Sequence, residues 1–411
     1  MTPSETDLDR RPPPAGDPEP AFQSPRKAGP ARYDLLLRGG HVIDPSQGLD
    51  GPADVAFSAG RVAALGRDIA AAGAADVRDV GGLMVAPGFI DLHTHVYWGG
   101  TSLGVDGATA ARKGGVTTLV DAGSAGPGNF AGFLKHVIEP SEPRILAYLH
   151  ISFAGIFAFS KRVMVGESGD LRLMSPADVV AVARANRDTI IGVKVRVGRH
   201  TSGASGIAPL DVAIEAAGEL GLPLMAHIDE PPPSYEEVLA RLRPGDVLTH
   251  CFRPFPNAPI TGQGEIKQAV VEARRRGVLF DIGHGMGSLS FNVARAMLAA
   301  DFPPDTISSD LHDLNQAGPV FDQMTTLSKF LCVGMSLPEV IRATTANAAA
   351  AIRRPELGSL RPGSVGDATI FSVREGRVSF RDSLNEEMTG GRRIVTEGVV
   401  LGGRWWYPEG H

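Results

Sequence analysis

Between residues 88 and 358 the sequence alternates between short apolar runs and longer amphipathic segments. Eight of the runs are strand-like; they read GFIDLHTH, TTLVDAG, RILAYLHIS, IIGVKVRVG, LPLMAHID, DVLTHCF, VLFDIGHG and TISSDLH. Segments such as SPADVVAVARANR and PLDVAIEAAGELG lie between most of them and open with residues that favour helix starts. Eight strands that alternate with helices over this length predict an α/β fold with a (β/α)8 TIM barrel at 88–358.

A doubly wound open sheet is the alternative arrangement of the same elements. Such sheets usually carry a glycine-rich phosphate loop directly after a strand. The sequence GHGMGS follows a strand-like run, but it fits neither the dinucleotide-binding pattern nor the Walker pattern. The barrel is therefore the preferred prediction.

Both ends of the chain carry short β-like runs separated by Gly and Pro. YDLLLRGGHVID and ADVAFSAGRVAALG lie near the start, and DATIFSVREG and RRIVTEGVVLGGRWW lie near the end. We predict that residues 31–87 and 359–411 form one small β-sandwich domain, into which the barrel is inserted. Residues 1–30 contain eight of the chain's 31 prolines and no periodic apolar pattern, which predicts a disordered arm.

Composition excludes several classes of function. The net charge is −6 and no cluster of Lys and Arg resembles a nucleic-acid patch, so we expect no nucleic-acid partner. The most apolar stretch, LAYLHISFAGIFAFS, is shorter than a membrane span, so we expect no membrane partner. With only Cys251 and Cys332 and no secretory pattern at the N-terminus, a cytoplasmic location is predicted.

Polar side chains capable of binding a metal gather at the predicted strand ends. His93 and His95 are two apart on a strand, so they share one face and point to a common region. Further candidates follow at the ends of later strands; they are Lys194, His227, His250 and Asp310. Imidazole and carboxylate suit Zn²⁺ and similar ions, and barrel enzymes place reactive groups at these strand ends. The alternative for any single histidine is a buried core residue with satisfied hydrogen bonds.

Lys194 lies in an almost wholly apolar strand, together with Arg196 on the same face. A buried lysine is usually paired with a carboxylate, and burial shifts its equilibrium toward the neutral amine. The sequence leaves two interpretations open for Lys194, a structural ion pair or a neutral amine available for covalent chemistry.

In these motifs the chain resembles the amidohydrolase superfamily, in the branch with two metals bridged by a carbamylated lysine. The resemblance covers nearly everything after residue 31. It implies that His93, His95 and Asp310 hold one divalent metal, most simply Zn²⁺, and that His227 and His250 hold the second. It further implies that carbon dioxide converts Lys194 to a carbamate bridging both. Asp310 is then also the catalytic proton carrier, and a metal-bridging hydroxide is the nucleophile.

Within the superfamily the chain is similar to dihydroorotase-like proteins, and more closely to the amidohydrolase/deacetylase subgroup. Dihydroorotases have an arginine at the position of Tyr97, where it binds a substrate carboxylate; this chain departs from that pattern. The resemblance therefore implies a metal-dependent deacetylase that cleaves an amide or ester bond of a small N-acyl or O-acyl carboxylate. We predict three substrate contacts, Arg196, His284 and Tyr97.

Two other functions remain open at this stage. One is a cyclic-amide hydrolase of the dihydroorotase or hydantoinase kind. The other is a non-catalytic barrel scaffold, although superfamily members of that kind usually lack several ligands and this chain has them all. The expected partner is a small-molecule acylated carboxylate, and the sequence leaves a homo-oligomer open.

Overall fold

The computed structural model describes residues 33–407, and the predicted arm at 1–30 lies outside them. Within that range the chain forms two sheets. The first is parallel and has seven strands in sequential order. Its strands are β6 (Phe89–Thr94), β7 (Val116–Ala122), β8 (Arg144–His150), β9 (Ile190–Val197), β10 (Leu224–Ile228), β11 (Val247–Leu248) and β12 (Leu279–Phe280). These are seven of the eight predicted strand runs, each within the predicted stretch or displaced from it by one residue.

The eighth predicted run forms no regular strand, but it makes backbone contacts with both edges of the parallel sheet. Thr306 bridges Asp281 beside β12, and Leu311 bridges Thr94 of β6, both in parallel orientation. The sheet therefore curls until residues 306–311 lie between its first and last strands. The β-pairing of this segment is interrupted because Asp310 has a φ of 50°, a left-handed conformation that breaks an extended run of residues.

Helices lie between most of the parallel strands. They are α1 (Gly107–Gly114), α2 (Phe130–Phe133, continued by a π-helical turn Leu134–Ile138), α3 (Pro176–Ala185), α4 (Ala208–Leu220), α5 (Tyr235–Arg241), α6 (Gln268–Arg276), α7 (Phe291–Ala299), α8 (Gln323–Val333), α9 (Leu337–Thr344) and α10 (Ala346–Ala351). The start signals work as expected: Ser175 caps α3, and Ser336 forms a capping box with Glu339 at α9. Within residues 33–407, no helix combines the length and apolar character that a bilayer crossing requires.

The second sheet draws its strands from both ends of the described chain. Its strands are β1 (Tyr33–Asp44), β2 (Leu49–Ser58), β3 (Arg61–Gly66), β4 (Ala74–Asp79), β5 (Met84–Pro87), β13 (Ala368–Arg381), β14 (Glu387–Leu401) and β15 (Arg404–Trp405). β5 joins the two ends, because it pairs with β1 on one side and with β13 on the other. The strands form one eight-stranded sheet, and the exact domain boundaries stay a prediction.

Candidate metal centre and the cavity beside it

Three predicted ligands converge where β6 meets the 306–311 segment. Each of His93, His95 and Asp310 offers one ligand atom, and these atoms lie within 4.8 Å of one another. The Nε2 atoms of His93 and His95 are 3.3 and 3.2 Å from the same atom, Oδ1 of Asp310. All three residues are buried.

Lys194 reaches the same point from β9. Its Nζ lies 3.4 Å from Nε2 of His93, and its side chain is completely buried. Gly123 packs so closely that a Cβ atom there would be 2.6 Å from Cγ of Lys194. Burial lowers the pKa of Lys194 to about 7, although the carboxylate of Asp310 opposes that shift. A substantial fraction of Lys194 is therefore a neutral amine near pH 7, which favours the second of its two interpretations, an amine available for covalent chemistry.

His227 and His250 complete the group from β10 and from the turn after β11. Their rings are 4.5 Å apart, edge to face, and the ring of His250 is 5.1 Å from that of His93. Nε2 of His227 is buried and has no hydrogen-bond partner within residues 33–407. The structure thus brings all six predicted ligand residues to one place.

The hydrogen bonds behind the histidines orient them for metal binding. Thr249 donates its hydroxyl hydrogen to Asp281, at 2.8 Å, so its oxygen can only accept from Nδ1 of His93, also at 2.8 Å. Nδ1 of His250 donates to the carbonyl of Gly283 at 2.7 Å. In both rings the proton therefore sits on Nδ1, and Nε2 carries the free lone pair.

Burial also lowers the pKa of each of the four clustered histidines, His95 to about 3. They are therefore neutral imidazoles at physiological pH, which is the form that binds metals. Neutral imidazoles, a buried carboxylate and the partnerless Nε2 of His227 together fit a divalent ion such as Zn²⁺.

The glycine-rich loop after β12 packs against the ligands rather than opening onto a substrate. A Cβ at Gly283 would lie 2.9 Å from Nδ1 of both His93 and His250, and a Cβ at Gly285 would lie 2.4 Å from Oδ2 of Asp310. His284 faces away from the cavity. Its Nε2 contacts Nζ of Lys329 at 2.6 Å, and it does not line the cavity, contrary to the predicted substrate contact.

Buried carboxylates form a supporting layer that the sequence analysis missed. Asp281 accepts hydrogen bonds from Thr249, Thr306 and Ser308, and Asp91 accepts one from the backbone of Ser309 at 2.9 Å. These bonds tie the strand ends that carry the ligands. A signal was present, because each Asp precedes a histidine by two or three positions, in DLH and DIGH.

A cavity of about 270 Å³ adjoins the ligands. Besides the six, it is lined by Leu103, Phe159, Met164, Arg196, His200, Thr201, Asp229, Glu230, Arg253, Met286, Gly287, Ser288 and His312. Of the three predicted substrate contacts only Arg196 is among them. Its Nε lies 3.3 Å from Oε1 of the buried Glu167, which in turn lies 3.1 Å from Nε2 of His150.

Tyr97 lies away from this cavity. Its ring stacks on Phe133 at 4.6 Å, and its hydroxyl donates to the carbonyl of Asn129 at 3.2 Å. The prediction reasoned from residue type at a family position and did not anticipate that the side chain packs into the core.

Two further polar residues at this end of the parallel sheet were not predicted. Arg253 follows His250 by three residues and lines the cavity, so its place after a strand end was a usable signal. Glu167 lies in the long connection between β8 and α3, where no periodic pattern marks it. Its position beside Arg196 depends on how that connection folds back over the ends of the parallel strands.

Comparisons with known proteins agree with this architecture. A deacetylase of Brucella anthropi is 37% identical over 343 residues, which cover 84% of this chain and 85% of that protein. The crystal structure of an adenine deaminase has a TM-score of 0.86 at 30% identity and covers 92% of this chain and all of the other. That of a dihydroorotase has a TM-score of 0.83 at 33% identity, covering 91% and 98%. No model of a protein family matches the sequence.

The relatives and the ligand cluster lead to one family. Likeness at this level over most of both chains extends through the whole fold, and within the cluster His93, His95 and Asp310 supply the donor set expected of a metal-dependent hydrolase. The chain belongs to the amidohydrolase superfamily of metal-dependent hydrolases, in its dihydroorotase-like subgroup.

Proposed function

We propose that the enzyme hydrolyses the amide or ester bond of a small N-acyl or O-acyl carboxylate. The observation that carries this is the convergence of His93, His95 and Asp310 with Lys194 beside a cavity large enough for a small molecule. Deacylation is favoured because the curated relative with 37% identity is called a deacetylase.

Two divalent ions, most simply Zn²⁺, are proposed for the cluster. His93, His95 and Asp310 would hold one, and His227 and His250 the second. Bound ions of this kind make a water molecule acidic and polarise a carbonyl group. The neutral amine of Lys194 would attack carbon dioxide, forming an N–C bond and releasing a proton, and the resulting carbamate would serve both ions.

Asp310 is proposed to move the proton. Burial raises its pKa to about 6, and its Oδ1 faces the centre of the cluster. A carboxylate with that pKa can accept a proton from the attacking water at neutral pH and give it to the leaving nitrogen or oxygen. Its left-handed backbone and the close approach of Gly285 hold the carboxylate in place.

The full barrel belongs to the same proposal. We infer that residues 306–311 act as its eighth strand, since they contact both Thr94 and Asp281 at the two edges of the parallel sheet. Closing the barrel with this segment would place Asp310 next to His93 and His95, the ligands from β6 and the residue that follows it.

A cyclic-amide hydrolase is the second candidate, favoured by the likeness to the dihydroorotase structure. Against it, the arginine expected beside the paired histidines is Tyr97, and that side chain packs on Phe133. A third candidate, a non-catalytic scaffold, would leave six polar side chains, five of them buried, converging without a ligand.

The deciding experiment is a substrate screen on metal-loaded enzyme, with metal-stripped enzyme as the control. It compares N-acetyl amino acids of both hands and acetylated 2-hydroxy acids with dihydroorotate and hydantoins. We expect turnover of an acyl carboxylate. Turnover limited to the cyclic compounds would favour the second candidate. Less than one equivalent of metal per chain, with no activity gained from zinc and bicarbonate, would favour the scaffold.

A further inference from the structure

Two buried arginines line the cavity, and they differ in their partners. Arg196 already has a counter-charge, because its Nε faces Oε1 of Glu167 at 3.3 Å. Its guanidinium also lies over the ring of Phe159, 5.1 Å from the centroid. The charge of Arg196 is therefore compensated by the chain itself.

Arg253 has no ion pair of this kind within residues 33–407, although the charges of Asp229 and Glu230 act on it from beyond ion-pair distance. The two arginines differ in this ion pair and not in Nε, because the buried Nε of each lacks a hydrogen-bond partner within that range. Arg253 is only 6% exposed. Burying a guanidinium without an ion-pair partner is costly, so such an arrangement persists only where something else offsets that cost.

The nearest acidic side chains are committed elsewhere. Asp229 accepts hydrogen bonds from the backbone and hydroxyl of Thr201, at 3.1 and 2.8 Å, and from the backbone of His200 at 3.2 Å. Glu230 faces the imidazole of His200 at 3.4 Å. Neither carboxylate is held in an ion pair with Arg253.

Arg253 is also fixed relative to the histidine ligands. Its backbone N–H donates to the carbonyl of His250 at 3.1 Å. Its Nη1 donates to the carbonyl of Ile228, the residue directly after His227. Nη1 of the guanidinium is thus anchored at the strand ends that carry both histidines, while the buried Nε has no hydrogen-bond partner among the described residues.

We propose that Arg253 binds the carboxylate of the substrate, and that Arg196, held by Glu167, is a positioning residue of the cavity wall. This rests on the proposed function and names the group that selects an acidic substrate. A planar guanidinium matches a carboxylate with two parallel hydrogen bonds. Anchored beside His227 and His250, it would hold the substrate carboxylate at a fixed place relative to the scissile bond.

The test compares a carboxylate with its neutral counterpart, N-acetylalanine of either hand and N-acetylalaninamide. For Arg253→Gln we expect kcat/KM for the carboxylate to fall on the order of 100-fold, mainly through KM, as for lost hydrogen bonds to a charged group. The carboxamide should change far less. Arg253→Lys keeps the charge without the fork and should lie between. Arg199→Gln, at an exposed position outside the cavity lining, is the matched control and should behave as wild type.

Calorimetric binding of N-acetylalanine to metal-loaded protein separates this proposal from the proposed function. Wild-type binding that weakens about 100-fold in Arg253→Gln supports the role of Arg253 even if no hydrolysis occurs. Equal affinity in both proteins, no binding to wild type, or equal losses for carboxylate and carboxamide would overturn it. So would a carboxylate-selective loss in Arg196→Gln with Arg253→Gln unaffected.

Discussion

The metal-ligand cluster and the wall of the adjoining cavity are built in different ways. In the cluster, Nδ1 of His93 and of His250 is tied to Thr249 and to the carbonyl of Gly283. In the wall, Nε of Arg196 and of Arg253 has no hydrogen-bond partner among the described residues, and Met286 is exposed. These two ligand rings are therefore held in place by protein groups, whereas the wall presents groups that a ligand can contact.

Because of that difference, we expect the cluster to determine the chemistry of the site and the wall to determine which substrates it accepts. Ligands must be held in one geometry, and hydrogen bonds to protein groups fix the rings of His93, His95 and His250. Wall residues such as Phe159 and Met286 can be exchanged without disturbing that support, because they come from connections rather than strands. Substitutions in the cluster should therefore abolish catalysis, and substitutions in the wall should redirect it.

The largest effect is expected for Lys194→Ala. Loss of the buried amine removes the group proposed to serve both ions, so turnover should fall by several orders of magnitude and bound metal should fall below two equivalents. Metal content by mass spectrometry and steady-state rates are the measurements. Lys161→Ala, at an exposed lysine, is the control. An active Lys194→Ala variant with full metal content would show that the carbamate assignment is wrong.

A smaller effect is expected one layer out, for Thr249→Val. Without the hydroxyl, Nδ1 of His93 loses its acceptor, and metal affinity should fall about 10- to 100-fold, as for other outer partners of ligating histidines. Competition with a chelator measures it. Thr306→Val removes a hydroxyl from the same Asp281 without touching His93, so its affinity should stay near wild type. Equal losses in both variants would assign the effect to Asp281.

The contrast between the cluster and its surroundings also explains which parts the sequence could predict. Strand runs were identifiable because buried parallel strands are continuous apolar stretches, and ligands such as His227 stand out at their ends. The two-residue length of β11 could not be predicted from the apolar pattern. The chain leaves the extended conformation by His250, whose left-handed backbone no apolar pattern marks.

The cavity wall was predictable only in part, because one of its contacts depends on tertiary packing. Arg196 shares a strand with Lys194, and alternation places both on one face. Glu167 approaches Arg196 from a connection whose course depends on tertiary packing, and no local pattern encodes it. His284 was wrongly predicted to contact the substrate, because a glycine-rich loop can approach either a substrate or the strands that carry the metal ligands.

Lys329 contacts His284 in the glycine-rich loop after β12, and its ionisation makes the stability of the protein depend on pH. Its buried Nζ contacts Nε2 of His284 at 2.6 Å and donates to the carbonyl of Pro319 at 2.7 Å, and burial lowers its pKa to about 7. The unfolded chain keeps that proton up to about pH 10.4, so between these values the unfolded state binds more protons. This residue's contribution to stability therefore becomes more favourable as pH rises from 7 to 10.

Lys329→Met should remove that contribution. The melting temperature of wild type minus that of the variant should grow between pH 7 and 9.5, by about 2 °C or more. Scanning calorimetry at matched metal loading measures it. Lys113→Met is the control, at an exposed lysine that lines one surface cavity together with Lys329. A constant difference for Lys329→Met would mean that its amine stays charged in the folded protein.

The smallest effect is expected for Tyr97→Phe, which tests where the wall ends. The hydroxyl donates one hydrogen bond to the carbonyl of Asn129, so its loss should lower the free energy of unfolding by about 1 kcal/mol. Because the ring packs on Phe133 outside the cavity, kcat/KM and the preference between carboxylate and carboxamide should stay unchanged. Denaturant unfolding and steady-state kinetics measure the two quantities. A several-fold rise in KM confined to carboxylates would show that Tyr97 belongs to the cavity wall. Tyr97, at the position where dihydroorotases have arginine, would then contribute with Arg253 to recognition of the substrate carboxylate.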